Sequence, residues 1–98
     1  MTTCANRAAW IEIDTAALKH NFQLIRQRVG SKRRIIAVVK ADAYGHGAVE
    51  ISRLLMAGGA DMLAVATYDE LCQLRQAGIS LPVLLFGYIP HQCLAGAI

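Results

Sequence analysis

Three short apolar runs, Ile35-Ile36-Ala37-Val38-Val39, Met62-Leu63-Ala64-Val65 and Pro82-Val83-Leu84-Leu85-Phe86, are separated by stretches of helical periodicity. Runs this short, rich in branched residues and without alternation, read as strands buried on both faces, which is the pattern of a parallel sheet. Parallel neighbours need crossover connections, and the intervals are the right length for helices. Residues 46–57 read as a second helix with an apolar face, closed by Gly58-Gly59. Thr67 and Glu70 have capping-box spacing ahead of Leu71, Leu74 and Ala77, with Gly78 at the end, which predicts a helix over 68–77. Upstream, Trp10-Ile11-Glu12-Ile13 alternates as a leading strand within residues 1–14. Asp14 then stands as an N-cap for a helix over 15–29, with Leu18, Phe22, Ile25 and Val29 on one stripe and Gly30 as its stop.

The fold class is therefore α/β, as either a doubly wound sheet or a barrel. A doubly wound sheet could be complete near this length, whereas a (β/α)8 barrel takes about 250 residues. In the second case residues 35–98 are its first three strand-helix units, an incomplete barrel. The ending Cys93-Leu94-Ala95-Gly96-Ala97-Ile98 is apolar and carries no helix stop, as in a chain that is cut off, and an open sheet edge predicts poor solubility.

Composition narrows the function classes. The formal charge is +3 and the basic cluster is only Lys32-Arg33-Arg34, too short for a nucleic-acid footprint. Cys4, Cys72 and Cys93 have neither disulfide nor metal spacing, which fits a reducing compartment and no metal site. Arg7, Glu12 and Asp14 interrupt the start, so no secretory leader is read and the cytoplasm is expected. Residues 76–98 lack formal charge, but Pro82, Pro90 and the polar Gln76, His91 and Gln92 oppose a membrane helix.

Lys40 closes the first apolar run, at the carboxyl end of a strand, where parallel α/β folds place their sites. Alternation puts it on the same face as Val38; if that face is interior, burial favours the neutral amine, which condenses with an aldehyde cofactor. On position alone, Lys40 is equally well the first solvated residue after the strand. The loop 41–47 brings Tyr44 and two glycines ahead of a helix. Such a loop can hold a phosphate through helix amides and a tyrosine hydroxyl, although many such turns bind nothing. Tyr44 is otherwise a packed surface aromatic and His46 a helix-start residue.

The run Lys40-Ala41-Asp42-Ala43-Tyr44-Gly45-His46-Gly47 resembles the cofactor-lysine motif of the bacterial alanine racemases, fold-type III enzymes that carry pyridoxal 5'-phosphate in the mouth of an eight-stranded α/β barrel. The resemblance extends to Trp10-Ile11-Glu12-Ile13-Asp14, His20-Asn21, Gly59-Ala60-Asp61, Ala64-Val65-Ala66-Thr67 and Pro82-Val83-Leu84-Leu85. It implies that this is the amino-terminal part of an enzyme interconverting L- and D-alanine for peptidoglycan. Lys40 would anchor the cofactor and act as the base on one face of the substrate, Tyr44 would bind the phosphate, and Val38 and Leu85 would face the cofactor ring. The family is homodimeric. Its second base, a tyrosine of a later β-domain, and the arginine at the pyridine nitrogen have no counterpart in these 98 residues; Tyr68 and Tyr88 are poor substitutes. The chain alone is therefore expected to be inactive. A non-catalytic cofactor-binding remnant and a racemase of another small amino acid such as serine remain open.

Overall fold

The computed structural model describes residues 12–89 and 91–93. Its first helix, α1 (Thr15–Val29), starts where Asp14 Oδ1 accepts the Ala17 N–H at 3.0 Å and stops at Gly30, whose φ of 83° suits glycine. Phe22 is the buried residue of its stripe, while Ile25 stays 51% exposed. Of the leading strand, Trp10 and Ile11 lie outside the described residues, and Glu12 and Ile13 join no strand.

The sheet consists of β1 (Ile36–Val38), β2 (Met62–Val65) and β3 (Val83–Leu85), parallel and in the order β1-β2-β3. Ile36 lies opposite Met62, and Leu63 opposite Val83. β2 matches its apolar run, whereas β1 and β3 are each one residue shorter at both ends, for local reasons. Val39 keeps its N–H on the Ala64 carbonyl, yet its ψ of 23° has already left the extended region. Pro82 has no N–H to give and contributes only its carbonyl, to Leu63.

The crossovers are a short turn, α2 (Lys40–Tyr44), followed by α3 (Ala48–Ala57), and then α4 (Tyr68–Gln76); a 3-10 turn spans His91–Cys93. Gly47, at φ 93°, delays the start of α3 by two residues relative to the predicted 46–57. Thr67 caps α4 through the full reciprocal capping box with Glu70.

Helix residues Phe22, Ile51, Leu55, Leu71 and Leu74 share one core with sheet residues Leu63 and Val65, against which Ala37, Val83 and Leu85 pack. The opposite face carries Ile36, Val38 and Leu84, exposed by 45%, 41% and 41%. The prediction of strands buried on both faces thus holds for the central β2, where Leu63, Ala64 and Val65 are all sealed, and is corrected for β1 and β3, whose residues on the Ala64 side stay open: among the described residues, helices pack on the other side only. A continuous apolar run says that both faces avoid water, not which neighbour covers each. Helices on a single side, with strand order following chain order, also argue against double winding, which puts helices on both faces about a reversal of strand order.

The strand starts are tied together by Arg26. Its guanidinium donates to the carbonyls of Arg33 (2.7 Å) and Gly59 (2.9 Å) and pairs with Asp61 at 2.8 Å, while Asp61 also accepts the Ile35 N–H. The Arg26 hydrogen bond, and then the Ile35 amide, hold the Asp61 carboxyl below its usual pKa.

Candidate active site

Lys40 is half-buried at the carboxyl end of β1 and opens the turn α2. The segment predicted as a loop is a left-handed turn: Ala41, Asp42, Ala43 and Tyr44 all have φ between 52° and 56°. None is glycine, and L-residues resist this region by about 1–2 kcal/mol each, so the surroundings must enforce it. Ala43 is buried in the core and gives its N–H to the Val39 carbonyl. The Asp42 carbonyl receives the Gly45 and Gly47 amides, and the Ala43 carbonyl receives both the His46 amide and His46 Nδ1. This last bond places the imidazole proton on Nδ1.

Asp42 closes the structure. Its Oδ1 accepts the Ala48 N–H at 2.8 Å, capping α3. One amide of the helix end read from sequence as able to hold a phosphate, that of Ala48, is therefore already taken by a carboxylate. The Tyr44 ring, 62% exposed, is left as the accessible donor of the segment.

Glu70 links this turn to the next crossover. Oε2 accepts the Ala41 N–H at 2.6 Å, and Oε1 accepts the Ala66 and Thr67 amides at 2.9 Å each. Burial pushes the Glu70 pKa up, but the amides of Ala66, Ala41 and Thr67 and the Thr67 hydroxyl together outweigh it and leave the carboxyl below its ordinary range. The sequence had shown only the capping half of this role. A cap needs one carboxylate oxygen, and the second was the available signal.

Val38 and Leu85 fall on opposite faces of the sheet: Val38 on the open one, Leu85 packed toward the helices. Phe86, next in the alternation and 57% exposed, shares the row of Leu84. The register sets Val38 in one row with Ala64 and Leu84, an offset that sequence position does not display. The direction of Lys40 cannot be carried over from Val38, because the alternation breaks at Val39. Tyr68 packs on the core and its hydroxyl pKa is raised by a hydrogen bond with Cys72, whereas Tyr88 is 82% exposed.

Against known proteins, the family described as alanine racemase, N-terminal domain, matches residues 13–98. The chain belongs to this alanine racemase family. It is 57% identical over 81 residues to an alanine racemase of Synechocystis, covering 83% of this chain and 22% of that protein. Among solved structures, the alanine racemase of Clostridium difficile 630 superposes with a TM-score of 0.77 at 44% identity, over 83% of this chain and 22% of that one. The Bacillus anthracis alanine racemase with bound L-Ala-P gives 0.84 at 37% identity, over 93% and 25%. The chain thus spans about a quarter of the length of these alanine racemases. No helix among the described residues is long and apolar enough to cross a membrane.

Proposed function

We propose that this chain is the cofactor-bearing amino-terminal part of a pyridoxal-phosphate-dependent alanine racemase, forming the first three strand-helix units of a (β/α)8 barrel across residues 35–98. The observation that carries this reading is the placement of Lys40: a half-buried lysine at a strand's carboxyl end, followed at once by the left-handed turn that bears Tyr44. One-sided helix packing supports the barrel, because a barrel puts every helix outside and leaves the inner sheet face to line its centre.

The residues fit the cofactor in kind. Lys40 supplies an amine for an aldehyde, Tyr44 a hydroxyl for a phosphate, and Val38, on the open face, an apolar wall. Leu85 packs toward the helices, and Leu84, in register with Val38 across Ala64, is the β3 residue that would extend that wall. When bound, pyridoxal phosphate supplies the electron sink that makes the α-proton of an amino acid removable. Lys40 Nζ would then take or return that proton on one face of the substrate. Proton delivery from the other face, a homodimeric assembly and a cytoplasmic setting follow family resemblance alone.

Mixing the chain with pyridoxal phosphate, reducing with borohydride and mapping the product by mass spectrometry tests the reading. A pyridoxyl-phosphate group on Lys40, lost in Lys40→Ala, is expected; its absence from Lys40 in the wild-type chain overturns the proposal.

A further inference from the structure

Glu70 makes more bonds than its helix requires. The capping box of α4 accounts for the Thr67 amide on Oε1, yet the same oxygen also takes the Ala66 amide, and Oε2 is spent on Ala41, 29 residues away in sequence. Ala41 follows Lys40 directly and is the first residue forced into the left-handed region. On the other side of Lys40, Val39 is held by the Ala64 carbonyl of β2 at 2.9 Å. The backbone on both flanks of Lys40 is therefore fixed to the neighbouring strand and its crossover. A charged acceptor forms the stronger kind of hydrogen bond, and the 2.6 Å distance is in keeping with that.

We propose that Glu70 is a positioning residue for Lys40, holding the Ala41 amide so that the lysine amine leaves the strand end in a fixed direction. This rests on the assignment of Lys40 as the cofactor lysine. Glutamine at position 70 has one acceptor oxygen in place of two, so it must surrender either Ala41 or the Ala66 and Thr67 pair. Thr67→Ala is the matched control: it weakens the cap of α4 and leaves the Glu70 to Ala41 bond in place.

The test measures, in the full chain, hydrogen exchange of the Ala41 amide and the rate and pH profile of pyridoxal-phosphate labelling at Lys40 trapped by borohydride, with Lys19 and Lys32 as internal references. Glu70→Gln and Glu70→Ala are expected to deprotect Ala41, slow Lys40 labelling by about tenfold and displace its pH profile, without affecting the reference lysines. Thr67→Ala is expected to leave the Lys40 rate and profile at wild type. Wild-type labelling behaviour at Lys40 in both Glu70 variants overturns the positioning role alone, as does equal slowing by Thr67→Ala, which would assign the effect to the helix cap. No label on Lys40 in the wild-type chain overturns the functional reading, and the positioning role with it.

Discussion

Single residues carry the unusual parts of this structure. Ala41 pays for its φ of 52° through its Cβ, so Ala41→Gly should raise stability by up to about 1 kcal/mol, the relief of strain exceeding the entropy that glycine adds to the unfolded chain. Urea unfolding at unchanged slope would read this as a higher midpoint, and Ala41→Val should move the midpoint the other way. Gly87 illustrates a different constraint: a Cβ there would run into the Ala66 carbonyl oxygen. Gly87→Ala is expected to cost about 1–3 kcal/mol by overpacking, measured in the same titration. Neither residue announces this in sequence. Nothing in Ala-Asp-Ala-Tyr asks for a left-handed turn, because the forces that impose it come from Val39, Glu70 and the buried site of Ala43, all set by tertiary packing.

At the scale of elements, the helices were the most legible. Asp14, Gly30, Thr67 and Gly78 act on neighbours within a turn, so their signals survive without knowledge of the fold. Thr67→Ala should cost about 1 kcal/mol through loss of the α4 cap, seen as a lower thermal midpoint. The lengths of β1 and β3 are shorter than their apolar runs because an apolar residue just past a strand, such as Val39, looks the same as one inside it. The pH response also belongs here. Glu70 and Asp61 both have folded pKa values below their ordinary 4.5 and 3.8. Their stabilisation is therefore fully present above those ordinary values and is lost as the pH falls through the depressed ones. Denaturation midpoints should be level from neutral pH down to about 5 and decline below it, with a shallower acid decline in Glu70→Gln and Asp61→Asn.

For the whole molecule, alternating strands and helices were evident in the order of patterns, but the side on which the helices would lie was not. That required seeing Ile36, Val38 and Leu84 exposed while Leu63 and Val65 are sealed. An uncovered apolar sheet face should make the chain associate as its concentration rises. Light scattering should show this reduced in Val38→Ser and Phe86→Ser, both on the bare side, and a wild-type chain that stays monomeric at high concentration would contradict it. The Glu70 tether bears on chimaeras between related sequences as well. Because the partner is a backbone N–H, which every residue but proline supplies, a chimaera keeps the tether whichever parent contributes residue 41, provided that its other parent brings glutamate at 70.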